Sequence, residues 1–390
     1  MQPDFSQLDA YLSANNADGY LVDADGSSAI QRYLSGFDAP DPFLCVYTPT
    51  IQAILVSTLE YGRAKETARV DRVSRLADYD YRNKVTEYGA EKAKARVAAE
   101  WLHSFGVESV EVPSRFPLSR ADALRDQGIT VSPASENVVT KIRAVKTKEE
   151  LGHIRQTQRA NEKAMQAAES MLERSSVADD KLVLDDAPLT SERVTKTIEA
   201  TLLEHGCALD ETIVASGAQA ADPHNRGSGA LEPDSFIVID IFPRSKQTHY
   251  HADMTRTFVV GDASAQLTEW YSLTNRALEA ALKTIQAGVT GKAVHDAVCD
   301  VYEAAGIQTL REDSTAETGF IHSTGHGVGL DIHERPQLSP DGGELAPGNV
   351  VTVEPGIYNP SVVGIRIEDL VVVTEDGHEN LTEYPRSDLG

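Results

Sequence analysis

Cysteine is scarce in this 390-residue chain. Cys45, Cys207 and Cys299 are three in number and far apart, so no disulfide framework is expected. Long apolar runs are also missing, and none reaches the roughly 20 residues that a spanning helix needs. The opening Met1-Gln-Pro-Asp-Phe5 has neither a basic start nor an apolar stretch, so no signal peptide is expected. Lysine is thin as well, with 13 lysines against 23 arginines, and 36 basic residues against 60 acidic ones leave a net charge of -24. Without a basic footprint, sequence-independent nucleic-acid binding is excluded. The chain reads as soluble and cytoplasmic, with no membrane or nucleic-acid partner.

What is present describes an ordinary folded protein: 41% hydrophobic and 25% charged residues over a length that fits two domains. In the first part, helical composition around 6–16, 90–103 and 118–126 alternates with strand-like runs at Tyr20–Val22, Phe43–Tyr47, Ala53–Val56, Ser109–Val112 and Ile129–Val131. Strands separated by helices predict an α/β layer domain. Thr147-Lys-Glu-Glu150 is a capping-box pattern that opens a helix running to about Arg174. The domain boundary is therefore set just before it, giving domains 1–145 and 146–390. Ser175–Thr190, with four aspartates and a proline, predicts an exposed loop. A helix over 191–205, a strand at Phe236–Phe242 returning near His251–Val260, helices over 267–287 and 292–305, and strands at Val350–Val353 and Ile367–Val373 follow, an α+β order.

The last third carries the chemistry. His322, His326 and His333 fall within twelve positions, beside Glu334, among glycines. Gly325, Gly327 and Gly329 argue against a helix, so this is not the helical His-Glu-x-x-His of zincins. Glu354 ends an apolar strand before Pro355-Gly356, and Arg366 and Glu368 share a strand face. Upstream, alternation puts Asp240 on an otherwise apolar strand face, and the return strand brings Asp253 beside it. Taken alone, Asp240 fits a strand-end turn, Asp253 a surface charge, and Arg366–Glu368 a buried ion pair. Together, Asp240, Asp253, His326, Glu354 and Glu368 make one imidazole and four carboxylates. So oxygen-rich a set is wrong for a closed structural zinc site, suits harder divalent ions and balances two of them. Two metals about 3.5–4 Å apart can generate a hydroxide and stabilise a displacement.

From residue 147 to 385 the chain resembles the pita-bread metallopeptidases, the family of methionine aminopeptidase, aminopeptidase P and prolidase. The resemblance rests on Ala221-Asp-Pro-His224, Asp240 with Asp253-Met-Thr-Arg-Thr, His322-x-x-x-His326-Gly-x-Gly-x-x-x-His333-Glu, Val353-Glu354-Pro-Gly and Arg366-Ile-Glu368-Asp, in that order. It implies that Asp240, Asp253, His326, Glu354 and Glu368 bind two divalent metals, with Asp253 and Glu368 bridging. Manganese or cobalt is expected, with zinc or iron as alternatives. It further implies Glu354 as general base, His224 at the scissile amide, His333 at the developing oxyanion, and His322 and Arg366 in the substrate pocket or behind it. An α/β domain ahead of the pita-bread half is similar to the creatinase/prolidase N-terminal domain. It turns the expectation toward Xaa-Pro aminopeptidase, with Xaa-Pro dipeptidase (prolidase) as the alternative. The partners implied are a proline-containing peptide and a second copy in a homodimer. A non-catalytic pita-bread binding protein and a metal-free creatinase-like hydrolase are remoter readings, against which the full ligand set counts.

Two departures matter. Asp240 and Asp253 are thirteen apart, more than the family usually has, and the excess is assigned to a longer turn around Arg244-Ser-Lys-Gln247. Gln337 stands where prolidases often have an arginine to grip a dipeptide's carboxylate, which favours the aminopeptidase. The acidity itself reads as salt adaptation, against the plainer alternative of a moderately acidic mesophilic enzyme. Salt adaptation predicts that the thermal midpoint rises as KCl goes from about 0.1 M to about 1 M, where the screening length falls from ~10 Å to ~3 Å. A flat response in a thermal melt series refutes it.

Overall fold

The computed structural model describes residues 3–386. Two compact units divide it, one running through Arg143 and the other starting at Ala144.

The first unit is built on a six-stranded mixed sheet. Its strands lie in the spatial order Arg72–Arg75, Gln52–Val56, Phe43–Tyr47, Gly19–Ala24, Ser109–Val112, Thr130–Pro133. The central three are antiparallel neighbours, and the outer pairings are parallel. The helix Ala90–His103 lays Val97, Ala98, Trp101 and Leu102 into the apolar layer with Leu21, Val46 and Leu55. Four helices were not legible in the pattern: Ala29–Ser35, Thr58–Thr67, Tyr81–Tyr88 and Val138–Ala144. The second buries only Glu60 and Ala64 and the third buries nothing, so neither has an apolar stripe to read.

In the second unit the capping box is formed as the sequence predicts. Thr147 Oγ1 accepts from Glu150 N–H, Glu150 accepts from Thr147 N–H, and the helix runs Lys148–Glu173. Residues 175–190 are not a plain loop. Three short strands, Ser176–Ala178, Lys181–Leu184 and Ala187–Pro188, form an antiparallel ribbon. The aspartates that suggested a loop occupy its turns: Asp179, Asp180, Asp185 and Asp186 all have positive φ, a conformation Asp tolerates better than most residues. Leu182 and Leu184 alternate inward and are buried against the long helix and Ser191–Glu204.

An antiparallel sheet follows, Thr212–Ser216, Ile237–Ile241 and Met254–Phe258, with helices Ala265–Thr284 and Gly291–Ala304 contributing to the apolar layer over it. A second sheet has the order Glu334–Leu338, Gly325–Gly327, Val350–Val353, Asp369–Thr374, Gly377–Asn380. The single strand expected to carry Arg366 and Glu368 on one face and run on to Val373 is broken. Val363–Arg366 pairs with Gly356–Asn359, whereas Asp369–Thr374 pairs with Val350–Val353, and Ile367 and Glu368 lie between the two ladders. All three cysteines are buried and free, and no helix among the described residues is long and apolar enough to cross a membrane.

Arg256 ties the two sheets together. Its guanidinium is buried and donates to Glu368 O (2.6 Å), Tyr384 O (2.6 Å) and Pro385 O (3.0 Å), and it meets Asp369 Oδ1 at 2.9 Å. Removing one partner of such a pair leaves a buried charge uncompensated, which costs about 3–5 kcal/mol. Arg386 remains on Asp369 Oδ2 at 3.0 Å, so the lower end applies. Urea unfolding of Arg256→Met is expected to show a loss of about 3 kcal/mol. A loss below about 1 kcal/mol would mean that the pair does not hold the sheets.

Candidate metal centre

The strand Ile237–Ile241 is buried along its whole length, and Asp240 is its one charged residue. In the ladder with Met254–Phe258, Asp240 stands opposite Thr255, and Ile241 opposite Met254, with no register shift. Asp253 is two positions before Thr255, so it shares that face and stands next to Asp240. The extra length between the two aspartates lies in the excursion beyond the ladder, where Arg244–Ser245 pairs with Cys207–Ala208.

The second sheet brings the remaining groups. Gly325 packs so closely on the neighbouring strand that a Cβ would sit 2.0 Å from Thr352 O, which leaves room for no other residue. The next residue, His326, takes Thr352 Oγ1 on its backbone N–H at 3.0 Å. Its Nδ1 donates to Gly327 O at 3.2 Å, which leaves the Nε2 lone pair free to coordinate. That Nε2 lies 3.4 Å from Glu354 Oε1 and 3.7 Å from Asp253 Oδ2. Glu354 follows the strand Val350–Val353 and is held by its N–H to Thr324 O (2.8 Å) and by Thr352 Oγ1 on Oε1 (3.2 Å). Glu368, at the break between ladders, accepts from Thr255 Oγ1 on Oε2 at 2.8 Å. Asp253, His326 and Glu368 each offer a ligand atom within 4.8 Å of the others.

Two carboxylate oxygens in this cluster, Asp240 Oδ1 and Glu368 Oε1, are buried without any hydrogen-bond partner. Buried acceptors are rarely left so, and bound cations would satisfy such oxygens. Electrostatics agree. Burial first, then the neighbouring carboxylates, pushes Asp253 and Glu368 well above the usual carboxylate range. Burial likewise raises Glu354 to about 7, and Asp240 adds to the effect. Burial, with His333 nearby, lowers His326 to about 3, the neutral form a metal requires. The donor set, hard oxygens with one imidazole, fits divalent cations.

The other four predicted residues gather around the same cleft, which has a volume of about 910 Å³ and is lined by the five ligand candidates and these four. Arg366 is buried. Its Nη2 meets Asp240 Oδ2 at 2.6 Å, its Nη1 donates to the Tyr358 hydroxyl at 2.9 Å, and its Nε donates to Thr255 Oγ1 at 3.2 Å. His322 Nδ1 donates to Ser323 O at 2.7 Å, so its Nε2 accepts from the Tyr358 hydroxyl at 3.1 Å. The His333 ring stands edge-on to that of His326, centroids 4.2 Å apart. His224 is exposed on the loop after Ala221, its N–H donating to Asp222 Oδ1 at 3.1 Å. Sequence reasoning missed Thr255, Thr352 and Tyr358, which orient the charged groups. Alternation places Thr255 two residues after Asp253 and Thr352 two residues before Glu354, on the carboxylates' own faces, but a hydroxyl at either position carries no signal of its own.

The profile of metallopeptidase family M24 matches residues 152–375, and that of the creatinase/prolidase N-terminal domain matches residues 5–145. A Xaa-Pro dipeptidase of Pyrococcus furiosus is 32% identical over 255 residues, 64% of this chain and 66% of that protein. The prolidase structure from Pyrococcus horikoshii is similar over 98% of both chains, with a TM-score of 0.79 and 25% identity. The X-Pro aminopeptidase structure from Thermotoga maritima is similar over 97% of this chain and 99% of its own, with a TM-score of 0.76 and 27% identity.

Glu354 sets the sign of a pH dependence. Its ordinary value is 4.5 and its folded value about 7, so between these the folded metal-free protein keeps a proton that the unfolded chain has lost. Metal-free stability therefore falls as pH rises through that window, and the deficit is complete above it. A divalent cation compensates the ionised form, so it is expected to stabilise more at about pH 7.5 than at about pH 5. Thermal midpoints with chelator and with manganese at both pH values check this. A metal-induced rise that is equal at both, or larger in acid, contradicts it.

Proposed function

The chain belongs to metallopeptidase family M24, and from that premise we propose that it hydrolyses the bond between an N-terminal residue and a following proline, releasing both from an Xaa-Pro dipeptide. The observation that carries the reading is the cluster of Asp240, Asp253, His326, Glu354 and Glu368 on the cleft floor, with two of its oxygens unpartnered. These five residues would hold two divalent ions, manganese or cobalt by preference. When bound, such ions polarise a carbonyl and lower the pKa of water toward neutrality.

The chain's own groups do the rest. Glu354 takes a proton from the attacking water and passes it to the proline nitrogen as the C–N bond breaks. His333, kept toward neutrality by burial, donates an N–H to the carbonyl oxygen as negative charge develops there. His224, at the exposed rim, contacts the scissile amide. Arg366 fixes Asp240, and Tyr358 links Arg366 to His322, so the wall beside the substrate is rigid.

The named relatives support dipeptidase over the aminopeptidase that Gln337 favoured, since Xaa-Pro dipeptidase and prolidase are the commoner names. Gln337 keeps the second reading in play. It lines the cleft without charge, and its Nε2 donates to Glu334 O at 2.9 Å. A homodimer in the cytoplasm of a salt-adapted cell completes the proposal. The test assays chelator-treated protein, with manganese or cobalt restored, on an Xaa-Pro dipeptide and an Xaa-Pro-Xaa tripeptide. Metal-dependent turnover with the dipeptide preferred is expected. Metal-independent turnover sinks the metallopeptidase mechanism, and preference for the tripeptide transfers the chain to the aminopeptidases.

A further inference from the structure

A dipeptide differs from every longer peptide in one respect: its carboxylate lies one residue beyond the bond being cut. With the proposed divalent ions already balanced by the four floor carboxylates, and a net charge of -24 over the chain, that group needs a cation of its own. Among the described residues, two arginines and no lysine line the cleft. Arg366 is buried and committed to Asp240, Thr255 and Tyr358. Arg226 is the other, and its side chain is 62% exposed.

Arg226 stands two residues after His224, on a loop seated firmly against the metal-bearing sheet. Val214 N–H donates to Arg226 O at 3.0 Å, and Gly227, at φ +78°, approaches so closely that a Cβ would fall 1.8 Å from Val214 O. The strand under the loop pairs Ile213 with Asp240, so Arg226 is registered against the same ladder that carries the candidate ligand. Its guanidinium is paired with Glu211, which also lines the cleft and is itself half exposed. An ion pair in that setting contributes little and exchanges readily. Five N–H donors leave the guanidinium able to hold Glu211 and a second carboxylate together.

We infer that Arg226, poised on Glu211, is the specificity residue that grips the free carboxylate of the dipeptide, in a cleft where Gln337 brings no charge. The inference rests on the dipeptidase reading. The test measures kcat/KM of metal-reconstituted wild type, Arg226→Gln and Arg226→Lys on an Xaa-Pro dipeptide and on its C-terminal amide, which lacks the charge. In Arg226→Gln the dipeptide-to-amide ratio should fall roughly tenfold to a hundredfold, mainly through KM, the worth of one charge-assisted hydrogen bond. Arg226→Lys should retain more of the ratio because it keeps the charge and loses only the fork. If wild type prefers the dipeptide and Arg226→Gln leaves the ratio within twofold, the role of Arg226 is overturned and the dipeptidase reading stands. If wild type prefers the amide, the dipeptidase reading falls and this role falls with it.

Discussion

An excess of buried negative charge governs the second unit. Asp240, Asp253, Glu354 and Glu368 converge in one place, and among the described residues Arg366 is the one arginine bonded to a carboxylate of the four. Burying a charge is costly unless it is paired or bound to metal, and one guanidinium cannot answer four carboxylates. The protein's own relief is partial: Thr255 and Thr352 give one hydroxyl each, and Arg366 takes one oxygen of Asp240. What is left over appears as carboxyl groups that hold their protons too tightly and as two oxygens with no partner. That imbalance makes the site a receptor for positive charge before any substrate is considered.

The backbone pays for this arrangement with interrupted ladders. The chain changes partners between Arg366 and Asp369, leaving the hairpin with Gly356–Asn359 for the sheet with Val350–Val353. Glu368 falls in the gap, its N–H held by Thr255 O at 3.1 Å and its carboxylate by the Thr255 hydroxyl. A continuous strand would have put residues 366 and 368 on one face at equal depth. The break instead lets Arg366 reach Asp240 while Glu368 turns to Asp253 and His326. Thr255 is the pivot: it faces Asp240 across the ladder and bonds both Glu368 and Arg366.

How much of this was legible follows from what kind of signal each part leaves. The spacing of His322, His326 and His333 and the isolated carboxylates Asp240, Glu354 and Glu368 on apolar strands are conspicuous because charge on such faces demands an explanation. The helix opened by Thr147 was legible because capping is local chemistry. Thr255, Thr352 and Tyr358 were not, since a hydroxyl on a strand looks the same whether it meets water or a buried carboxylate. The ribbon at 176–188 was hidden because its aspartates signal turns and the strands between them are only two to four residues long. The break at Ile367–Glu368 was hidden because it depends on which strand lies alongside, a long-range fact that an apolar run cannot encode.

The same physics accounts for a second buried pair that touches no substrate. Lys146 and Glu334 are both almost wholly enclosed, with Nζ 2.6 Å from Oε1. Such a pair gives little net stability, because the desolvation of its two charges offsets their attraction. Its effect is positional. Glu334 directly follows His333, and it begins the strand that pairs with Gly325–Gly327. Fixing its carboxylate at a point set by Lys146, one residue ahead of the capping box, closes the loop from His326 to His333 and holds the two imidazoles edge to face. A hydrophobic contact of equal strength would let that loop slide. An ion pair with one geometry does not, and the role proposed for His333, meeting a developing oxyanion, needs its position fixed before charge appears.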